Sequence, residues 1–560
     1  MSVEKFSATV MNPVAKVETE AAITPAARLT CLEGKKIALW WNGKSKGNVA
    51  LNTIAERLKK DYNAETVFLK QDLFHSEEAF AAAADVGCAA VVAATADCGS
   101  SAVTLTRDLC TLAKMGIPAV MLIAKPFLLI SNAELRLKEL FKVSRAVMEH
   151  PLNSLPEEEV AQVADALYDA VVKGLTQDGE ALDTPEAEAA RPIEEKVEPE
   201  RITIEGENYF DFSTNLNRYF INHGWSDGLP LVPPTEAAVN RMLSGTKRGR
   251  DEVLLKYQPG NGVATIEKIA VNCVMAGCEP SHLPVVAAAI EAMHEDGFNI
   301  TSLTQSSGAD TPMVMVNGPI AKEIGMTAEG ACLGPGKYSA VNTAIGRAVR
   351  LTMMNIGHCY PGIRDIDTLG SPNKYALCAC ENEDDNPFNE PYNVEKGFKP
   401  GTNCVTTMPC QSFMDVEDLE SGRPEDLLLT IASTIDTMGW PGARSWMGFI
   451  DPHVMHVTVV FAPDHARLIT NSGWTKFDVR QYLYAKCHRA WGQFKHLVIP
   501  RIKDGTVHPG YRWLATASDD TVVPMVRDPS YFDIAVIGGA AGKSALSMNI
   551  GCPTTVEIKK

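Results

Sequence analysis

The chain reads as an α/β protein: an N-terminal doubly wound parallel-sheet domain of flavodoxin or Rossmann type, followed by a larger α+β domain. Three observations predict this. Between residues 35 and 175, short apolar runs alternate with segments of helical spacing. Residues 177–205 are rich in Glu, Ala and Pro and nearly free of large apolar side chains, which predicts an extended or disordered linker. The stretch beyond it mixes strands and helices without βαβ regularity, punctuated by Gly and Pro. The predicted organisation is a flexible arm over 1–30, an α/β domain over 31–176, the linker over 177–205, and a domain over 206–560.

In the first domain, Lys36 to Trp41 is an apolar strand, and Asn42 to Asn48 is a loop. Val49 to Leu58 carries helical spacing at Leu51, Ile54, Ala55 and Leu58. Thr66 to Leu69 is a strand, and Ser76 to Ala84 a helix with a Ser-Glu-Glu start. Cys88 to Ala94 reads as a buried parallel strand. Ala102 to Met115 is a helix closed by Gly116-Ile117-Pro118, and Ala119 to Ala124 is the next strand. Leu135 to Phe141 and Glu157 to Val172 are read as helical. In such folds ligands bind beyond the carboxyl ends of the strands. The loops Asn42–Asn48, Thr95–Ser101 and Lys125–Phe127 all fall at that edge.

That placement picks out Cys98. It sits where a strand turns into a helix, and the unpaired N–H groups of a helix N-terminus favour a thiolate. Gly99 is expected to ease the turn, and Ser100 or Ser101 to cap the helix. Lys44 is placed to pair with a substrate carboxylate or to lower the Cys98 pKa. Asn42, Lys44, Asn48, Ser100 and Ser101 are the expected substrate-binding residues around it.

Composition bounds the rest. With 560 residues and 45% hydrophobic content, the chain has material for two or more cores. A net charge of −17 argues against nucleic-acid binding, which needs a basic face. No run approaches the roughly 18 apolar residues of a membrane span. The 14 cysteines lack a disulfide-scaffold spacing. A cytoplasmic protein with reduced thiols is expected, acting on a small molecule and forming a homo-oligomer.

The second half offers scattered candidates. His453 and Glu381 are the expected acid or base from this half, with His223 in reserve. Cys378 and Cys380 would share a strand face and invite a metal reading, but the spacing is not that of a zinc ribbon, so no metal is expected. His453 and His456 stand three apart at the start of a strand-like run and would face opposite sides. Gly334 to Arg347 is a Gly-rich loop feeding a helix, without the Ser or Thr of a P-loop after Lys337. Arg347 and Arg350 are read as ion-pair residues. Asp533 to Gly542 is a strand running into a Gly turn.

The motif Asp97-Cys98-Gly99-Ser100-Ser101 resembles the signature of the UGSC family of (seleno)proteins, in which selenocysteine or cysteine is followed by Gly-Ser-Cys. Asn42, Lys44 and Asn48 look like that family's Asn and Lys loop after the first strand. The segment also resembles the selenocysteine region of glycine and proline reductase B-type subunits, where a selenol or thiol cleaves a carbon–heteroatom bond. The resemblance spans about residues 35 to 175, and the C-terminal half resembles the uncharacterised region attached to such domains. One departure matters: Ser101 stands where the family has its second Cys, so no local dithiol exists and turnover calls for an external thiol or water. Cys110 lies too far along the helix to help. The expectation is a thiol-dependent enzyme of reductase or lyase type. The alternatives are a thiol-based redox or metal-binding protein, or a hydrolase in which Cys98 is structural. A serine hydrolase is disfavoured, since the first domain has no Gly-x-Ser-x-Gly elbow.

Overall fold

The computed structural model describes residues 5–70, 77–182, 184–185, 189, 191–411, 413–439, 456–540 and 542–559. The chain starts with β1 (Phe6–Met11), then alternates through β2 (Lys36–Trp41), α1 (Gly47–Tyr62), β3 (Glu65–Lys70), α2 (Glu77–Val86), β4 (Ala90–Ala96) and α3 (Gly99–Lys114). It continues with β5 (Ala119–Ala124), α4 (Leu128–Leu137), β6 (Lys142–Met148), α5 (Glu157–Ala166), α6 (Tyr168–Thr176), β7 (Glu180–Ala181) and β8 (Arg201–Gly206). The main sheet runs β3-β2-β4-β5-β6-β7, parallel throughout except for β7. Side-chain alternation builds a core on each face. Ile37, Leu39, Trp41 and Val92 pack with α1, α5 and α6, while Ala38, Trp40, Val91 and Met121 pack with α3. The strand order reverses between β2 and β4, which is the switch point where such sheets bind ligands.

Three expectations are corrected. The 1–30 arm is not loose. β1 pairs antiparallel with β8, from Phe6↔Gly206 to Met11↔Arg201, and Val10, Met11 and Ala15 enter the core of the second half. Buried Lys268 donates to the Asn12 carbonyl at 2.7 Å and to Glu200 at 2.8 Å. The 177–205 linker, where described, is not disordered. Its apolar poverty is offset by ion pairs, with Glu195 taking Arg136 at 2.7 Å and Arg364 at 3.6 Å. The expected helix Leu135–Phe141 ends at Leu137, and the missed strand β6 follows. The arm thus stitches the two halves together instead of preceding them.

The second half opens with the helices Tyr209–Asn222 and Glu236–Leu243, followed by the hairpin β9 (Val253–Tyr257) and β10 (Gly262–Thr265) and a helical layer that includes Ile266–Ala276, Leu283–Met293 and Ala340–Asn355. Arg347 and Arg350 do form ion pairs, with Asp227 at 2.6 Å and Asp365 at 2.7 Å. Beyond lie β11 (Thr311–Asn317), β12 (Cys378–Cys380), β13 (Cys404–Cys410), β14 (Met414–Glu417) and β15 (Val457–Phe461). The last strands are β16 (His488–Ala490), β17 (Val522–Pro524), β18 (Phe532–Val536), β19 (Lys543–Met548) and β20 (Thr554–Glu557). β16 and β17 form a small ribbon.

The remaining strands make two four-stranded sheets of one plan. β11 and β15 each pair in parallel with a later strand, β12 or β18, and antiparallel with another, β13 or β19. The fourth strands are exchanged: β20 borders β13, and β14 borders β19. The sequences echo this. Val405–Glu417 and Ala545–Glu557 align without gaps and share Met408 with Met548, Val416 with Val556 and Glu417 with Glu557. The two units meet at the bridge Cys410↔Asn549.

Candidate functional site

The turn after β4 is built by the main chain. The register between β4 and β5 slips between Ala93 and Ala96, which re-aims the strand end just before Cys98. Cys98 is the N-cap residue of α3, and the Ser101 amide donates to its sulfur. Ser101 Oγ lies 3.1 Å from Cys98 Sγ and accepts from the Cys98 amide at 3.0 Å. Ser100 Oγ lies 3.5 Å from the sulfur.

The loop after β2 brings a cation to the same point. Lys44 Nζ lies 3.2 Å from Cys98 Sγ. Its backbone is fixed, because the Trp41 indole donates to the Lys44 carbonyl at 2.8 Å and Asn42 Oδ1 accepts from its amide at 3.2 Å. Burial opposes ionisation of Cys98, but the Lys44 ammonium and the Ser100 and Ser101 hydroxyls outweigh it. The thiol is held below its ordinary value. Cys110, buried on α3, is instead pushed up to about 12 by desolvation.

The expected residues divide by role. Cys98, Lys44, Ser100 and Ser101 converge. Asn42 is a brace: its amide accepts from Thr95 N at 3.0 Å and donates to Thr95 O at 3.1 Å, so its polar groups are occupied by main chain. Asn48 is half-buried near the start of α1 and enters none of the hydrogen bonds around Cys98. Glu381 belongs elsewhere, buried among the Tyr392 amide at 2.6 Å and the side chains of Asn317 and Asn386. Burial raises its pKa despite Lys476 and those donors. His223 stacks on Tyr219 at 4.0 Å. His453 lies outside the described residues. Cys378 and Cys380 are core thiols, both pushed up by burial, the latter to about 12. Among the described residues no group of three or more His, Cys, Asp or Glu is placed to hold a metal. Nor is any helix among them long and apolar enough to cross a membrane.

Several site residues escaped the sequence. Asp97, beside Cys98, is buried and hydrogen-bonds His150 Nδ1 at 2.7 Å, while its other oxygen accepts from the Leu152 and Asn153 amides. His150 follows β6, a strand that no apolar run announces. The second half also reaches the turn. A Cβ on Gly99 would lie 1.5 Å from Ile366 Cδ1 and 2.6 Å from the Gln305 carbonyl, so Gly99 serves close approach between the halves. Gln305 Nε2 and Thr95 Oγ1 are buried without hydrogen-bond partners among the described residues. Arg501 is lowered to about 10 by burial, against the upward pull of Asp504 and Cys98. A cavity of about 530 Å³ lies apart, between the arm, the linker and Arg364, and none of the Cys98 group lines it.

The arrangement combines a sulfur at a helix N-terminus, a cation in contact with it, a histidine held by Asp97 and a cover from the second half. No curated protein and no solved structure matches the chain. Residues 9–177 match the model of the UGSC family.

Proposed function

We propose that the protein is a thiol-dependent enzyme that cleaves a carbon–heteroatom bond of a small polar or anionic substrate through the Cys98 thiolate. The observation that carries this reading is the 3.2 Å contact of Lys44 Nζ with Cys98 Sγ at the first turn of α3. A structural thiol has no need of a cation that stabilises its charged form. Lys44 at the sulfur, with Arg501 interacting electrostatically with Cys98, favours an anionic substrate. Gln305, from the second half, adds a buried donor.

In this reading the sulfur attacks the carbon that bears the heteroatom. The carbon–heteroatom bond breaks, and the leaving group takes the electron pair and a proton. His150, held by Asp97, the residue before Cys98, serves as the proton carrier in this reading. Ser101 in the place of a second thiol makes reductive or hydrolytic release depend on a nucleophile from solution, a thiol or water. In the reductase outcome a solution thiol attacks the Cys98 sulfur, the carbon takes up a proton and a mixed disulfide remains for a second thiol to reduce; in the lyase outcome the adduct loses a β-proton, a carbon–carbon double bond forms and the Cys98 thiol is restored without a solution nucleophile.

The test is alkylation of Cys98 by iodoacetamide across pH 5–10, read by peptide mapping, in the parent and in Lys44→Met. The parent is expected to label fastest at Cys98, with a midpoint below the free-thiol value of about 8.5. Lys44→Met should move the midpoint to higher pH and slow labelling at neutral pH about tenfold, the change in thiolate fraction that a midpoint higher by about one on the pH scale produces. A midpoint that stays in place in the variant sinks the proposal.

A further inference from the structure

A second set of reactive groups lies far along the chain from Cys98 and does not enter the scheme above. β15 and β18 pair in parallel with Val457 opposite Phe532 and Thr458 opposite Asp533. Alternation then places His456, Thr458 and Asp533 on one face of that sheet. His456 Nδ1 lies 2.8 Å from Asp533 Oδ2. Asp533 is buried, and its other oxygen accepts from the Tyr392 hydroxyl at 2.8 Å and from Lys396 Nζ at 3.1 Å. The imidazole stacks on Tyr531, with ring centres 4.5 Å apart and planes 19° from parallel.

Cys552, in the turn between β19 (Lys543–Met548) and β20 (Thr554–Glu557), also interacts with this imidazole. Its thiol is hydrogen-bonded to His456. Its amide donates to the Gly297 carbonyl at 2.9 Å, which anchors the turn. The order of exposure is that of a working relay: Asp533 is buried, His456 is 12% exposed on its side chain, and Cys552 is half-buried and open to solvent. Desolvation opposes protonation of His456, but Asp533 and Cys552 outweigh it and raise its pKa to about 9.

We propose that Cys552, His456 and Asp533 form a second nucleophilic centre, one that takes an acyl ester, thioester or amide and carries its acyl group as a thioester on Cys552. The carboxylate–imidazole–nucleophile order is the one that recurs on unrelated folds for acyl transfer. His456, protonated at neutral pH, already holds the proton of the pair, and the sulfur attacks the carbonyl carbon. A carbon–sulfur bond forms, the bond to the leaving group breaks, and His456 gives the proton to that group. Water then attacks the thioester with His456 as base. The acid leaves and the pair is restored, with no change of oxidation state. Asp533 is a positioning residue that holds the ring through Nδ1. The assignment does not rest on the role of Cys98.

The test uses the full chain in a Cys98→Ser background with p-nitrophenyl acetate. A burst of p-nitrophenolate is expected, with the acetyl group mapped to Cys552. His456→Gln should slow the burst about a hundredfold, and Cys552→Ala should abolish it. Asp533→Asn should slow it and move its pH profile to lower pH, since the imidazolium loses its carboxylate. Among the described residues the groups facing His456 are Asp533, Tyr531 and Cys552, with Tyr392 and Lys396 acting through Asp533, so the change in profile is assigned against those. Unchanged Cys98 alkylation in His456→Gln, made in the parent chain, shows that the variant folds. Acetylation elsewhere, or a burst that survives His456→Gln, overturns the proposal.

Discussion

At the scale of single residues, chemistry here depends on which atoms touch a sulfur. Ser101 Oγ lies 3.1 Å from Cys98 Sγ, so the position where the resembling family carries its second Cys is already in contact with the Cys98 sulfur. Ser101→Cys is therefore expected to form a disulfide with Cys98 under mild oxidation, since the spacing is that of Cys-x-x-Cys at a helix start. Intact mass should fall by two hydrogens and recover with reductant; two persistent free thiols would count against the geometry. His456 makes a different prediction. Its folded-state pKa of about 9 lies above the ordinary value of about 6.5. The stabilisation it gives is complete below about pH 6.5 and is lost as pH rises through about 9. Denaturation midpoints of the parent and His456→Gln should converge between pH 7 and pH 10. The sequence showed Cys98, Lys44 and Ser101 because a motif is local. It hid the Asp97–His150 and His456–Asp533 pairs, whose members are joined only by strand pairing.

At the scale of elements, the working part is the corner between β4 and α3, and its tightness comes from what packs against it. From the sequence, Gly99 has the task of easing a turn. The structure gives it the task of admitting Ile366 and the Gln305 carbonyl. Gly99→Ala should thus be costly despite alanine's better helix propensity. Overpacking of this kind costs about 1–3 kcal/mol. The expected outcome is a lower Tm together with faster alkylation of Cys98, as the second half is pushed off the turn. A raised Tm would show that helix propensity wins. The alternation of strands and helices was readable because apolar runs and helical periodicity differ sharply. β6 escaped because Val143, Ala146 and Met148 are interrupted by Ser144 and Arg145, which break up the apolar run.

At the scale of the whole molecule, composition misled where long-range pairing decides. The arm looked loose because it is short and mixed in character. Its partner β8 lies at the far end of the linker, and nothing local signals that pairing. The apolar poverty of residues 177–205 was legible as a break between two stretches of chain. Their mutual grip was not, since it rests on Arg364 donating to the Ala133 carbonyl at 3.0 Å and on Ile366 entering the first domain's core. The exchanged strands of the second half have a further consequence. Each unit supplies its neighbour's border, so the pair behaves as a tethered dimer whose halves clasp one another. A protease site engineered between residues 440 and 455 would sever the tether and leave the clasp: β14 would stay with β19, and β20 with β13. The two fragments should travel together on a sizing column and part only in denaturant. Fragments that separate in native buffer would mean that the covalent link, and not the traded strands, keeps the two units joined.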